Sequence, residues 1–279
     1  MQTVYKFCRN YGLEVLSHLK LKVTPPNQFN DPFEFTPNIY WSDPVGYVKH
    51  KLENESVLKD LYDNDPHPGG FEAFLKLVKT DQAKLIEQFV RLLPDEVPEL
   101  EKEFLDRFSK EVGVLCVSGL RDAILMWGHY CDKPRGLVVG FDKSCPVFQQ
   151  GKGLRPVHYV KQRVLYDACW NNPSPEMTHF TDGSIVSKNA DWTYENEFRQ
   201  ILDLSSPLLE KKPLEDGTTG YFLGFPPAAI VSVTLGPRVS SECESEVKEI
   251  LRKPHFSKVK LDRAILNKCD FKLEFAPVT

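Results

Sequence analysis

Hydrophobic and polar positions follow a different pattern in each of three stretches of the chain. Short apolar runs between Val4 and Thr24 predict a strand, a short helix and a second strand, which Pro25-Pro26 ends. Between Val45 and Lys110, apolar residues recur every three or four positions, which is the spacing of one helix face. From Glu111 onward, short runs rich in Val and Leu predict strands again.

These patterns predict an α+β fold with a mixed, mostly antiparallel sheet as its core. Residues 1–279 are predicted to form a single domain with a helical insertion layer at about 42–110, in which Pro94 and Pro98 break the helices. The other predicted helices are Gly12–Leu19, Ala123–Tyr130 and Ser241–Lys253. The predicted strands are Val4–Phe7, Leu21–Thr24, Gly113–Ser118, Gly136–Phe141, a strand pair in Leu154–Tyr166, Asp191–Leu204, Ile230–Leu235, Val259–Leu261 and Phe271–Phe275.

Composition narrows the class of protein. Of the 279 residues, 41% are hydrophobic and 27% are charged, as in ordinary globular proteins. The net charge of -4 argues against broad, charge-driven binding of nucleic acid. No run approaches the roughly 18 apolar residues of a membrane span, and the first ten residues lack the apolar centre of a secretory signal. The seven cysteines are scattered without a C-x-x-C pair, which favours a reducing cytoplasm and gives no zinc-binding spacing.

The first segment with candidate chemistry is Phe29–Phe35, an Asn-Asp-Pro turn flanked by three Phe residues. Such a turn fixes Asn30 and Asp31 rigidly, so both side chains are candidates for binding a substrate. The alternative is an Asx-type turn in which they satisfy their own backbone, and the sequence favours that interpretation.

The second segment, Leu115–Asp142, reads as a strand, a short helix, a Pro-Arg-Gly turn and another strand. His129 on the helix has an unperturbed pKa near neutrality, so it is a candidate base, although a single His is more often structural. Arg135, in the turn, is a candidate phosphate ligand or a solvated surface residue. Trp127 and Tyr130 have the spacing of core residues and are also candidates for substrate binding.

The third segment, WTYENEFR at residues 192–199, is the best functional candidate. On an extended strand, Glu195, Glu197 and Arg199 share one face. Two adjacent carboxylates repel each other and require a cation, a metal, a shifted pKa or solvent. Arg199 can supply the cation, and the alternative is an exposed, salt-bridged sheet edge. The flanking aromatic residues argue against full exposure, and Trp192, like Trp127, is predicted to be buried.

Five blocks of the sequence resemble the bacterial domain of unknown function 2971. They are VYKF, LKVTPPNQFNDPFEF, VLCVSGLRDAILMWGHYCDKPRGLVVGFD, WTYENEFR and IVSVTLGPRV. They follow the order of the family and cover the chain from Tyr5 to Phe275. The chain lacks the signatures G-x-x-x-x-G-K-[ST], G-x-G-x-x-G, H-E-x-x-H and G-x-S-x-G, which disfavours P-loop nucleotidases, Rossmann dehydrogenases, zincins and ordinary α/β-hydrolases.

The order of these blocks is also similar to that of the ADP-ribosyltransferase superfamily, which implies NAD as a substrate. By that resemblance, Glu197 holds the nicotinamide ribose and stabilises an oxocarbenium-like transition state, while Glu195 faces the acceptor. Tyr130 lies near the nicotinamide, and Tyr5 or Lys6 contacts the dinucleotide. The resulting hypothesis is an NAD-using ADP-ribosyl transferase-like enzyme, such as an effector in phage defence or a toxin module.

Two other classes of function remain open at the level of sequence. Asp31, Glu34, Glu195 and Glu197, with or without His129, form an oxygen-rich set of the kind that holds Mg²⁺ or Mn²⁺ in a metal-assisted hydrolase or nuclease. Alternatively, the protein is a non-enzymatic interaction module whose helical insertion binds a partner protein. Convergence of the polar residues on one open cleft favours a ligand site, and complete internal pairing favours the interaction module.

Overall fold

The computed structural model describes residues 2–9, 12–132, 135–169 and 183–278. The chain divides into two compact units, each with its own hydrophobic core. The first unit comprises residues 1–35, 106–162 and 185–279, and the second comprises residues 36–105 and 163–184. Helices and a mixed, mostly antiparallel sheet make up the fold, so the predicted α+β class is confirmed.

Many of the regular elements correspond to predicted ones, but the strands Asn38–Tyr40, Ser187–Asn189, Leu209–Pro213 and Thr219–Gly224 were not predicted. The helices whose bounds lie within the described residues are α1 (Gly12–His18), α2 (Pro44–Glu53), α3 (Glu55–Asn64), α4 (Gly70–Thr80), α5 (Gln82–Glu111), α6 (Ile124–Tyr130) and α7 (Ser241–Leu251). The strands are β1 (Thr3–Cys8), β2 (Lys20–Val23), β3 (Asn38–Tyr40), β4 (Val112–Ser118), β5 (Leu137–Asp142), β6 (Leu154–Pro156), β7 (His158–Val160), β8 (Leu165–Asp167), β9 (Ser187–Asn189), β10 (Glu197–Asp203), β11 (Leu209–Pro213), β12 (Thr219–Gly224), β13 (Ile230–Leu235), β14 (Lys260–Leu266) and β15 (Leu273–Pro277).

The first unit is built on an eight-stranded sheet in the order β15-β14-β13-β5-β1-β4-β10-β6. All its neighbouring strands are antiparallel except β13 and β14. Strand β5 is buried on both faces because its alternate side chains enter two separate clusters. Leu137 and Val139 pack into the large core that includes residues of α1 and α7, whereas Val138 packs against Trp127 of α6.

The main sheet is split between β1 and β4. Strand β1 pairs with β5 along its whole length, from Thr3 opposite Asp142 to Cys8 opposite Leu137. With β4 it pairs only at Tyr5, opposite Ser118. The other end of β4 instead makes a bridge with the segment after β2, in which Thr24 and Val114 exchange backbone hydrogen bonds of 2.9 Å. The diverging strands leave a cavity between them.

The second unit contains α2, α3, α4, most of α5 and the parallel pair of β3 and β8. Its helices match the predicted insertion, but the predicted breaks at Pro94 and Pro98 are wrong. Helix α5 continues through both prolines for 30 residues. Apolar residues on both sides of Pro94, among them Phe89 and Leu93, pack into the core of this unit, and that packing offsets the hydrogen bonds that the prolines remove.

Two predicted strands differ from the structure. Leu154–Tyr166 is not a strand pair, because its residues contribute to three short strands in three different sheets. Asp191–Leu204 is extended only from Glu197 onward, since Ala190–Glu195 forms a 3₁₀ helix. None of the helices within the described ranges combines the length and apolarity that crossing a bilayer requires.

Candidate active site

A cavity of about 430 Å³ lies in the split of the main sheet. This volume is within the range of small-molecule sites, roughly 300–1,000 Å³. Polar, charged and aromatic side chains from both strands, from α6 and from the segment after β2 share its surface. The lining residues are Tyr5, Lys6, Phe7, Arg9, Thr24, Gln28, Phe29, Asn30, Val114, Cys116, Val117, Ser118, Met126, His129, Tyr130, Lys188, Glu195 and Glu197.

The acidic pair reaches the cavity through a turn between the 3₁₀ helix and β10. Asn196, between the two glutamates, adopts a left-handed backbone with φ of 44° and ψ of 53°, a conformation that Asn tolerates better than most residues. Glu197 then pairs with Ser118 in the sheet, and the Ser118 hydroxyl donates a 2.6 Å hydrogen bond to the Glu195 carbonyl. Both glutamates are buried, so the alternative of an exposed sheet edge is wrong.

The ammonium of Lys188, on β9, forms ion pairs with three buried carboxylates. Its Nζ lies 2.6 Å from Glu195 Oε2, 3.1 Å from Glu34 Oε1 and 3.4 Å from Glu197 Oε2. Its side chain is only 3% exposed. A buried ammonium at these distances stabilises all three carboxylates, at the cost of its own desolvation.

Arg199 supplies the second buried cation, behind the cavity wall. Its Nε lies 2.9 Å from Glu197 Oε1 and its second terminal nitrogen lies 3.1 Å from Glu197 Oε2, so the contact with this carboxylate is bidentate. The same terminal nitrogen also donates to Glu34 Oε1, and the other one donates to the Ile185 carbonyl at 2.6 Å. The predicted role of Arg199 as a cation beside the pair is supported by these contacts, but its side chain does not line the cavity.

The Phe29–Phe35 segment contacts the Arg199 guanidinium through two aromatic rings and a carboxylate. The Phe29 and Phe35 rings contact each other edge to face at 4.8 Å and lie 5.6 and 5.3 Å from the Arg199 guanidinium carbon. Phe35 has a φ of 63°, an unfavourable conformation for an aromatic residue. The neighbouring Glu34 forms an ion pair with Arg199, so this strained turn brings a carboxylate and two rings to one cation.

The two glutamates of the pair have opposite pKa shifts. Burial by itself would raise the pKa of Glu197, but the charges of Arg199 and Lys188 outweigh it and lower that pKa to about 2. Burial raises the pKa of Glu195, and the negative charge of Glu197 adds to the rise, while Lys188 opposes it. Glu197 is therefore ionised at all physiological pH values, whereas the pKa of Glu195 lies above its ordinary value because of burial.

Tyr130 completes the environment of Glu195. Its hydroxyl donates a 2.9 Å hydrogen bond to Glu195 Oε1. Burial, together with the nearby carboxylate of Glu195, raises the pKa of Tyr130 well above its usual range. The phenol consequently stays protonated and remains a hydrogen-bond donor to Glu195.

The structure brings seven of the predicted site residues together at the cavity. They are Tyr5, Lys6, Asn30, His129, Tyr130, Glu195 and Glu197. Four others do not line it. Asp31 is buried in an Asx turn, in which its Oδ1 accepts from the Phe33 amide at 2.9 Å. Arg199 lies behind the wall, as described above.

Trp127 and Arg135 are the other two residues that the structure separates from the cavity. Trp127 is 1% exposed and packs in the core, with its indole N–H donating to the Arg121 carbonyl at 2.7 Å, so its prediction as a substrate ligand is wrong and its predicted burial is confirmed. Arg135 is exposed in the turn before β5. Trp192, predicted to be buried, is only half-buried and lies in the 3₁₀ helix instead of on a strand.

Sequence reasoning missed Lys188 and Arg9. The acidic pair itself indicated that a cation is needed nearby, but nothing in the local sequence around Lys188 distinguishes it from other lysines. Lys188 precedes Glu195 by seven residues. The parallel pairing of β7 with β9 positions its side chain beside Glu195.

The carboxylates do not form a metal site. Among the residues that the structure describes, no group of three or more His, Cys, Asp or Glu side chains is placed to hold a metal ion. Glu34, Glu195 and Glu197 instead face the cations of Lys188 and Arg199. The donor set proposed for Mg²⁺ or Mn²⁺ therefore does not fit such an ion.

Comparison with known proteins adds no family assignment. No protein-family model, curated protein or solved structure matches the chain. The resemblance to the domain of unknown function 2971 and to ADP-ribosyltransferases therefore stays a prediction from the sequence motifs.

Proposed function

We propose that this protein is an enzyme that cleaves the bond between nicotinamide and ribose in NAD and transfers ADP-ribose to an acceptor. One observation carries the proposal: Glu195 and Glu197 line the same cavity, and their surroundings shift their pKa values in opposite directions. In enzymes that use two carboxyl groups, different pKa values commonly allow one group to transfer a proton while the other stays ionised and stabilises positive charge.

Glu197 has the properties of the stabilising carboxylate. It remains ionised and its position is fixed by bidentate contact with Arg199. Loss of nicotinamide leaves positive charge on the ribose, and a fixed anion beside that charge lowers the barrier. The same carboxylate would accept a hydrogen bond from a ribose hydroxyl.

Glu195 has the properties of a general base. Its raised pKa brings the carboxyl closer to neutrality, where proton transfer is more efficient. Tyr130 and Lys188 hold its two oxygens, each through one hydrogen bond. The acceptor's proton would pass to this carboxylate as the new bond to the ribose forms.

Lys6 fits the phosphates of the dinucleotide. Its ammonium lies half-buried in the cavity and donates to the Cys116 carbonyl at 2.9 Å. Among the described residues, no carboxylate forms an ion pair with Lys6 or with Arg9, which also lines the cavity. A half-buried ammonium without a counter-ion favours an anionic ligand.

The alternatives have less support. A metal-assisted hydrolase lacks a fitting ligand set, as shown above. An interaction module predicts complete internal pairing of the polar motifs, but Asn30, Tyr130, Glu195 and Glu197 share one cavity. Asp31 and Arg199 are buried and contacted from within the protein, as that alternative predicts, but neither lines the cavity.

Ligand-induced thermal stabilisation tests the proposal. NAD at about 100 times its Kd should stabilise the protein by about 2.7 kcal/mol, which is visible as a rise in Tm. Lys6→Met should remove most of that rise, whereas Lys22→Met, at an exposed position of β2, should keep it. No rise with NAD, together with a rise on adding Mg²⁺ or Mn²⁺, would contradict the proposal in favour of the metal-dependent class.

A further inference from the structure

Three aromatic side chains form an open cluster at the edge of the cavity. The ring centroid of His129 lies 6.3 Å from that of Trp192 and 6.2 Å from that of Tyr194. Trp192 and Tyr194 are 6.0 Å apart. We call these three residues the aromatic triangle. His129 is exposed and the other two are half-buried, so part of the triangle faces solvent.

The aromatic triangle adjoins the proposed general base. His129 itself lines the cavity, and Tyr194 immediately precedes Glu195 in the chain. Lys188 lies 4.7 Å from the centroid of the Trp192 ring and so covers one face of it. A planar ligand stacked on the opposite face would therefore lie close to the group that receives the acceptor's proton.

Arg9 places a cation beside the same cluster. Its guanidinium donates to the His129 carbonyl at 3.3 Å, and Arg9 is exposed while also lining the cavity. In the part of the chain that the structure describes, no carboxylate pairs with it. Half-exposed aromatic rings next to a cation that has no carboxylate partner among the described residues are the combination that binds bases by stacking and their phosphates by charge.

We infer that the aromatic triangle binds a nucleobase of the acceptor, with Arg9 on the adjoining phosphate. This inference rests on the proposed function and specifies the acceptor's chemical class. In the transfer, the bond between ribose C1′ and nicotinamide breaks, and its electron pair leaves with the neutral nicotinamide. An N–H nitrogen of the base forms the new bond to C1′, and its proton passes to the Glu195 carboxylate.

A nucleobase reaches the site either in a free nucleotide or in a single-stranded nucleic acid. The net charge of -4 disfavours binding through charge alone, so stacking has to supply most of the affinity in either case. The first arm of the experiment therefore titrates the full-length protein with each of the common nucleoside monophosphates. The second arm uses single-stranded DNA and RNA of about ten nucleotides and mixed sequence.

The binding measurement is quenching of tryptophan fluorescence, which needs no NAD turnover. Stacking on Trp192 should quench the emission of the wild type, and Trp192→Phe should remove that quenching. Trp192→Leu should raise Kd by about 5- to 150-fold, which is the range that stacking contributes per base, as measured by ligand retention on a filter. Phe271→Leu, which removes a fully exposed aromatic ring elsewhere, is the matched control and should keep the wild-type Kd.

The product is then located by mass spectrometry after incubation with NAD. ADP-ribose attached to the nucleotide or the oligonucleotide is the expected result, and the arm in which it appears identifies the source. The inference would be overturned by quenching that persists in Trp192→Phe or by no quenching in either arm. ADP-ribose attached to protein alone would also overturn it. NAD cleavage without quenching contradicts only this inference, whereas quenching without NAD cleavage contradicts the proposed function as well.

Discussion

Lys188 is the side chain on which the buried charges of the site depend. It contacts Glu34, Glu195 and Glu197 at distances of 2.6 to 3.4 Å. Buried ion pairs contribute little net stability compared with apolar packing, yet loss of one partner leaves an uncompensated charge. The presence of five charged groups in one buried cluster is therefore more informative about the chemistry of the site than about the stability of the fold.

Replacement of Lys188 by Met should be strongly destabilising near neutral pH. Glu34 and Glu197 would then keep only Arg199, and Glu195 would lose its ion pair, so we expect a loss of about 3–5 kcal/mol in the free energy of unfolding. The loss should shrink as the pH falls below about 4.3, because the carboxyl groups then become protonated. Urea unfolding of wild type and Lys188→Met between pH 2 and 8 measures this, and a loss independent of pH would contradict it.

Glu197→Gln should also destabilise the protein, in a different pH window. The folded-state pKa of Glu197 is lowered from 4.5 to about 2, so its ionisation stabilises the fold above pH 4.5. That contribution disappears as the pH falls toward 2, and it corresponds to about 3 kcal/mol. The deficit of Glu197→Gln relative to wild type should thus be largest at neutral pH and smallest near pH 2.

Glu195→Gln should show the opposite trend. The folded-state pKa of Glu195 is raised, so the stability linked to its protonation is present below the unfolded-state pKa and is lost as the pH rises through the folded-state value. A neutral Gln avoids that loss, and the stability of Glu195→Gln relative to wild type should improve with rising pH above about 4.3. A relative stability that instead declines over this range would show that the Lys188 contact dominates.

At the scale of elements, the turn between the 3₁₀ helix and β10 decides where the acidic pair points. Asn196→Gly should preserve the geometry because glycine adopts positive φ without strain. Asn196→Val should cost at least about 1–2 kcal/mol and reduce ligand binding, since a β-branched residue is unfavourable there. Thermal unfolding and NAD binding measure the two effects, and equal behaviour of the two variants would contradict this account of the turn.

The sequence predicted elements better than their connections. Strand β13 and most of α1, α6 and α7 follow directly from apolar periodicity. The continuous α5 was missed because two prolines normally end a helix, and here packing in the second unit outweighs that preference. The 3₁₀ helix that ends at Glu195 was missed because alternation of aromatic and polar residues is equally typical of a strand.

At the scale of the whole molecule, the site depends on contacts between residues far apart in sequence. The motifs located Glu195, Glu197, Tyr130 and Lys6, but not the split between β1 and β4 that opens the cavity. The pairing of β7 with β9 brings Lys188 to the acidic pair, and the Phe29–Phe35 turn brings Glu34 to Arg199, which is 165 residues away. Pairings of such long range leave no local pattern in the sequence, so only the folded structure reveals them.

Nicotinamide release from NAD by the full-length protein tests the central claim most directly. The wild type should release nicotinamide, and Glu197→Gln should slow the release by about 10²–10³-fold, as loss of one electrostatic stabiliser does. Glu34→Gln is the matched control, because Glu34 contacts the same two cations without lining the cavity. Its loss should be at least about tenfold smaller when each variant is assayed below its own Tm. No release by the wild type, or equal losses in the two variants, would contradict the account.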